Sequence, residues 1–133
     1  MTAAGETPDG IGIIDISTDP TDLEYIGEMD DDADKELNNP NGVATTTING
    51  KTYAIVVGQD DGISIIDIST PSSPAYVGEV EDDSNKGGCT ASQVCLDGAR
   101  GVVITTIGGV TYAVVTAYDD DGIEIIRIMD RQI

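Results

Sequence analysis

One isoleucine-rich phrase dominates the hydrophobic pattern of this chain and occurs three times, at residues 10–17, 62–69 and 122–129. Isoleucine fills the same four positions of every copy, so an extended segment would carry apolar side chains on both faces. A strand with one face in water alternates apolar and polar residues instead. The phrase therefore predicts a strand buried on both faces, in a sheet that lies between two other sheets.

The segments between the copies predict three further strands in each repeat. They are rich in valine, threonine and tyrosine, which favour strands. The turns Asn49-Gly50 and Gly108-Gly109 suit a type I′ hairpin, because both central residues of that turn need positive φ. The predicted first strands are 42–48 and 101–107, the second strands are 52–57 and 111–116, and the fourth strands are 25–29 and 76–80.

The order of these elements predicts the fold class. Each repeat is a four-stranded antiparallel meander, and such sheets bury both faces when they stack radially, as the blades of a β-propeller do. We expect an all-β chain of tandem propeller-like blades, two repeats plus one surplus strand. The predicted parts are a lead-in (1–8), orphan third and fourth strands (9–29), a complete blade (42–80), an acidic rim loop with both cysteines (81–100), a partial blade (101–128) and a tail (129–133).

Incomplete blades predict that the chain associates with copies of itself, head to tail. Propellers typically contain four to eight blades, and a lone chain would leave isoleucine-rich faces exposed. We expect residues 25–29 to complete the last blade of a neighbour by strand addition. A closed ring, an open filament and a stretch of a longer many-bladed chain all fit this pattern. The residues expected at the assembly contacts are Ile11, Ile13, Tyr25, Ile26, Ile123, Ile125 and Arg127.

Arg127 stands where the other two copies of the phrase have Asp15 and Asp67. The change has two interpretations: drift at the end of the repeat array, or an arginine that pairs with an acidic group of the neighbouring copy.

The charge balance narrows the range of partners. Asp and Glu number 25 against six Lys and Arg, which gives a formal net charge of −19. Such a surface repels phosphate groups, so nucleic acid is not expected as a partner. No apolar stretch approaches the roughly 20 residues that insertion into a bilayer requires. The acid excess has two interpretations, solubility in a salty medium and binding of divalent cations.

Alternating carboxylates in one loop suggest a calcium site. Ca²⁺ takes six to eight oxygen ligands, and Lys35 stands where an EF-hand loop has its glycine, so the pattern matches that loop only in part. A solvated acidic rim is the alternative. Ca²⁺ is the one cofactor that the sequence suggests, with the candidate ligands Asp30, Asp32, Asp34, Glu36 and Asn38.

Cys89 and Cys95 are the two cysteines of the chain, and both fall in the predicted rim loop. We expect a disulfide between them, which indicates a location outside the cytosol; two free thiols are the alternative. The chain has no histidine and no Cys-x-x-Cys spacing, so zinc is not expected.

The run 61–71, the Tyr-Val-Gly at 76–78, and the segments 98–101 and 111–115 together resemble the LVIVD repeat of microbial cell-surface β-propellers. The resemblance implies an extracellular propeller of the surface or adhesion type, and it implies no catalytic residues. The chain departs from the pattern in the cysteine-containing insertion, in Pro40-Asn41, and in the third copy of the phrase, which lacks the Asp-Ile-Ser ending.

Catalysis is not expected. The chain has no histidine for general base chemistry, no Gly-x-Ser-x-Gly elbow and no phosphate-binding loop. The predicted function is that of a non-enzymatic extracellular structural protein that assembles with itself. The alternative is a cell-surface binding or adhesion module, a small discrete ring that recognises a carbohydrate, a protein or a cation.

Overall fold

A computed structural model describes residues 10–17, 21–30, 37, 39–58, 62–81, 96–119 and 122–128. Within these ranges the chain forms β-strands and no helix. The strands are β1 (Gly10–Asp15), β2 (Glu24–Asp30), β3 (Pro40–Ile48), β4 (Lys51–Gly58), β5 (Gly62–Asp67), β6 (Ala75–Glu81), β7 (Ala99–Ile107), β8 (Val110–Ala117) and β9 (Gly122–Ile128).

The strands form three antiparallel sheets, each a meander of chain neighbours. The first sheet is β1-β2, the middle sheet is β3-β4-β5-β6, and the third sheet is β7-β8-β9. This arrangement confirms the predicted all-β fold of propeller-like repeats. Among the described residues, the middle sheet is a complete blade, the first sheet has only the third and fourth strand positions, and the third sheet has the first three.

Both predicted hairpin turns have the expected backbone. Asn49 and Gly50 have φ of 52° and 79°, and Gly108 and Gly109 have φ of 58° and 80°. Two consecutive residues with positive φ are the signature of a type I′ turn. The turns therefore fix the register in which β3 pairs with β4 and β7 pairs with β8.

The first strands of the two larger sheets begin earlier than the sequence pattern suggested. β3 starts at Pro40 and β7 at Ala99, and in each sheet the register shifts just after the first pair. The two strands also lie side by side, because Asn41 Nδ2 donates a hydrogen bond of 3.2 Å to the carbonyl oxygen of Ala99. Irregular pairing at a strand end leaves no trace in hydrophobic periodicity.

The middle sheet lies between the other two, and apolar clusters fill both interfaces. One cluster joins the middle and third sheets and includes Ile63, Ile65, Ala113, Val115 and Ile128. The other cluster joins the first and middle sheets and includes Ala54, Val56 and Ile66, with Ile11 and Met29 packed against them. The predicted burial of the isoleucine-rich strand on both faces is confirmed for β5, where Ile65 is 3% exposed and Ile66 is fully buried.

Candidate functional site: the faces of the two end sheets

Every sheet in this chain has two different faces. In the middle sheet, we call the face turned toward the third sheet the forward face and the face turned toward the first sheet the backward face. The faces of the other two sheets take the names of the corresponding strand positions in the middle sheet. The forward face of the middle sheet, with Ile63 and Ile65, packs on the third sheet. The backward face of the middle sheet, with Ile66, packs on the first sheet. Stacking inside the chain thus always joins a forward face to a backward face.

The forward face of the third sheet carries the same isoleucines, and none of the described residues covers them. Ile123 and Ile125 are 66% and 68% exposed, whereas Ile63 and Ile65, at the same positions of the middle sheet, are 2% and 3% exposed. Val103 lies in the same row of this face, because Val103 pairs with Val114 and Val114 with Ile125. This face of the third sheet is therefore an exposed apolar surface, with isoleucines at the positions that form an interface in the middle sheet.

The backward face of the first sheet is the counterpart at the other end. Ile14 is 51% exposed, whereas Ile66, at its position in the middle sheet, is fully buried. Tyr25 pairs with Ile14 as Tyr76 pairs with Ile66, and a register shift occurs at the same point of both sheets. The first and middle sheets thus have the same local geometry on this face, but among the described residues only the middle sheet has another sheet packed against it.

A tyrosine–glutamate hydrogen bond is repeated on this face. The Tyr25 hydroxyl donates to Glu28 Oε2, and the Tyr76 hydroxyl donates to Glu79 Oε2 at 2.6 Å. The bond to Glu28 raises the pKa of Tyr25 to about 12. The hydrogen bond holds the Tyr25 ring, which lies over Gly12, in place on the backward face.

The structure separates the predicted assembly residues into three groups. Ile123, Ile125 and Arg127 lie on β9 and are exposed, and Tyr25 is exposed on the first sheet. Ile11 packs against the cluster between the first and middle sheets, inside the chain. Ile13 and Ile26 line a cavity of about 470 Å³ beside the first sheet, together with Pro71 and Ser72.

Hydrogen bonds at the end of β5 form a polar site that hydrophobic patterning did not reveal. Asp67 Oδ1 accepts from the Ser69 backbone N–H at 2.9 Å, and Lys51 Nζ lies 3.3 Å from Asp67 Oδ2. The bonds from Ser69, and secondarily Lys51, hold the pKa of Asp67 below its usual value. At the end of β1, the bonds from Ser17 lower the pKa of Asp15 in the same way. The sequence signal for this polar site is the Asp-Ile-Ser motif, which occurs at both 15–17 and 67–69.

The predicted calcium and disulfide sites fall mostly outside the described residues. Asp30 ends β2 and is exposed. Within the described part of the chain no cluster of three or more acidic or cysteine side chains could hold a metal, and no helix could span a membrane. Calcium binding and the disulfide stay predictions, since these residues lie outside the described ranges: Asp32, Asp34, Glu36, Asn38, Cys89 and Cys95.

The sheets and their stacking define a propeller-like repeat protein. Residues 47–82 match the family model described as the LVIVD repeat. This match confirms the predicted resemblance to the LVIVD repeat over one segment, which runs from the end of β3 through the rest of the middle sheet. No curated protein and no solved structure matches the chain.

Proposed function

We propose that this chain is a non-enzymatic structural protein that assembles head to tail with copies of itself, at the cell surface or outside the cell. The observation that carries the proposal is the contrast between equivalent isoleucines: Ile125 is 68% exposed on the third sheet and Ile65 is 3% exposed on the middle sheet. A second copy that places its first sheet on the third sheet would give Ile125 the environment that Ile65 already has.

The proposed contact is directional because forward and backward faces differ. Inside the chain, stacking twice joins a forward face to a backward face. The forward face of the third sheet and the backward face of the first sheet are the two such faces that no described residue covers, and the contact would join one of each from neighbouring copies. A repeated head-to-tail contact closes into a ring if the rotation fits, and otherwise continues as a filament.

Face-to-face stacking leaves the pairing inside each chain intact. β2 already pairs with β1 from Asp30 to Glu24, so donating residues 25–29 to another copy would first break that pairing. We therefore propose that copies complement each other through whole sheets rather than by transfer of β2.

The energetic balance favours a reversible contact. Full burial of an isoleucine side chain stabilises by roughly 1.5–3 kcal/mol, and Ile14, Ile123 and Ile125 are the main candidates. Association costs an estimated 4–15 kcal/mol in lost translational and rotational freedom. Since gain and cost are similar, one substitution on either face should have a large effect on assembly.

Sedimentation velocity of the purified chain tests this proposal. The net charge of −19 makes copies repel one another, so we expect larger species at about 0.5 M NaCl, where the charges are screened, than at low salt. Ile125→Glu should abolish these species, because a carboxylate in the interface would lose its solvation. Val43→Glu is the matched control, since Val43 is also exposed, at 60%, but lies on the middle sheet.

Two outcomes would contradict the proposal. The first is a wild-type chain that stays monomeric at every concentration and salt level. The second is loss of assembly in Val43→Glu to the same degree as in Ile125→Glu. Small discrete rings, rather than long polymers, would favour the alternative function of a cell-surface binding module.

A further inference from the structure

β1 has an edge that its counterpart in the middle sheet does not. β5 pairs with β6 on one side and with β4 on the other. β1 pairs with β2 on one side, and none of the described residues pairs with it on the other. An unpaired edge presents backbone N–H and C=O groups that a further strand can bind.

The middle sheet shows what fills this position. Beyond the last pair of the ladder, the Ile68 N–H donates to the Thr52 carbonyl oxygen at 2.9 Å. The Thr52 N–H donates in turn to Ser69 Oγ at 2.9 Å. Lys51, one residue before Thr52, places Nζ 3.3 Å from Asp67 Oδ2. The Asp-Ile-Ser segment at the end of β5 therefore binds the start of β4 through three contacts. They are a backbone–backbone hydrogen bond, a hydrogen bond from a backbone N–H to a serine hydroxyl, and a lysine–aspartate ion pair.

The same three residues end the phrase that begins with β1, and they already have the conformation of the occupied site. Asp15 Oδ1 accepts from the Ser17 N–H at 2.7 Å and from Ser17 Oγ at 2.6 Å. Both bonds use Oδ1, which leaves Asp15 Oδ2 to face a cation, as Asp67 Oδ2 does.

Among the described residues, the surroundings of β1 leave room for an added strand. Ile16, at the end of this edge, is 69% exposed. A cavity of about 470 Å³ borders residues 13–17, with Ile26, Pro71 and Ser72 on its other walls. There is room beside the edge, and its walls are mostly apolar.

We propose that residues 13–17 form a docking edge for an extended polypeptide strand that carries a basic side chain opposite Asp15. The residue after that basic side chain exchanges backbone hydrogen bonds with Ile16 and with the hydroxyl of Ser17, as Thr52 does with Ile68 and Ser69. The added strand would bind backbone groups at the edge of β1 together with Asp15 and Ser17, whereas the end face is formed by side chains such as Ile14, so the inference does not rest on the proposed head-to-tail assembly.

Charge indicates that the ligand resembles β4 rather than β8. Val110 has the position in β8 that Lys51 has in β4, since each is the first residue paired after its hairpin turn. The third sheet also has no carboxylate at the matching place, because Arg127 stands at the position of Asp67. Asp15 keeps the carboxylate that matches a lysine-bearing strand.

A peptide with the sequence of residues 42–57 provides the probe, because it contains β4 from Lys51 to Val57 behind its own hairpin turn. Fluorescence anisotropy with the full chain would measure its affinity. We expect the Lys51→Glu peptide to bind the wild-type chain about three- to tenfold more weakly. Asp15→Lys should weaken the wild-type peptide similarly and should restore binding of the Lys51→Glu peptide.

Two controls separate this site from general attraction between a basic peptide and an acidic chain. Asp119→Lys makes the same change in charge at an exposed position in the turn that follows β8, and it should leave binding of both peptides unchanged. Hydrogen exchange should slow in residues 10–17 when the peptide binds, and not in residues 122–128.

The inference is overturned if no peptide binds, if both peptides bind the wild-type chain equally, or if protection appears on β9 instead of β1. Peptide binding to Ile125→Glu, which is defective on the forward face, distinguishes the two proposals. Binding that persists there supports the docking edge even if assembly through the end faces fails.

Discussion

At the scale of single residues, two leucines anchor the connections that lead into the larger sheets. Leu37 and Leu96 are both fully buried. Leu37 packs in the cluster between the first and middle sheets, and Leu96 in the cluster between the middle and third sheets. Each stands five residues before a glycine of the following strand, Gly42 or Gly101. The leucines thus pack the residues just before β3 and β7 into successive interfaces.

Leu96→Ala should lower the free energy of unfolding by about 2–5 kcal/mol, because it removes a fully buried side chain and leaves a cavity. Ile107→Ala is the matched control, since Ile107 is 64% exposed at the end of β7; its effect should stay within about 0.5 kcal/mol. Urea unfolding followed by circular dichroism measures both. Equal effects of the two substitutions would show that Leu96 does not contribute to the core as described.

The leucines were not predicted, although the sequence contains a signal for them. Hydrophobic periodicity identifies longer runs of apolar residues; Leu37 stands between Glu36 and Asn38, and Leu96 ends the short run Val94-Cys95-Leu96. Only their equal spacing from Gly42 and Gly101 distinguishes them from leucines of a solvated loop. A side chain whose burial depends on another sheet is set by tertiary packing, which local pattern does not encode.

At the scale of elements, the Asn49-Gly50 turn gives the most local test of how the sequence fixes the hairpins. Gly50→Ala should destabilise the chain by about 1–2 kcal/mol, because an alanine at φ of 79° is strained. Nothing lies within 4 Å of the added methyl group, so no steric clash contributes. The free energy of unfolding in urea measures the change.

Asn49→Gly is the control for this turn, because it produces the Gly-Gly pair that the third sheet has at Gly108-Gly109. It keeps residues that tolerate positive φ at both positions, so its effect should be clearly smaller. A larger loss in Asn49→Gly than in Gly50→Ala would mean that the Asn49 side chain, and not the backbone conformation, stabilises the hairpin.

Most strands could be predicted because their signals are local. The isoleucine phrase and the positive-φ turns locate β4, β5, β8 and β9 closely. The register shift between Ile65 and Ile66, repeated between Ile13 and Ile14, could not be predicted. A bulge depends on which residue of the partner strand stands opposite. The partner strand here follows a connection whose geometry the sequence did not predict, so the register between the two strands was unknown.

At the scale of the whole molecule, the described strands form a stack of three sheets whose two outermost faces carry exposed isoleucines. The sequence predicted incomplete blades, since the strand positions could be counted. It could not show which isoleucines face inward, because Ile11 and Ile14 belong to the same phrase and yet point to opposite sides of one sheet. The structure buries Ile11 inside the chain and leaves Ile14 exposed.

A mixing experiment tests the head-to-tail contact most directly. Ile125→Glu blocks the forward face and keeps the backward face, whereas Ile14→Glu does the reverse. Each variant alone should sediment as a monomer, because each lacks one half of the contact. An equimolar mixture should form a complex of two chains and no larger species, since only one compatible pair of faces remains. A mixture that stays monomeric while the wild-type chain assembles, or a single variant that still associates with itself, would contradict the account.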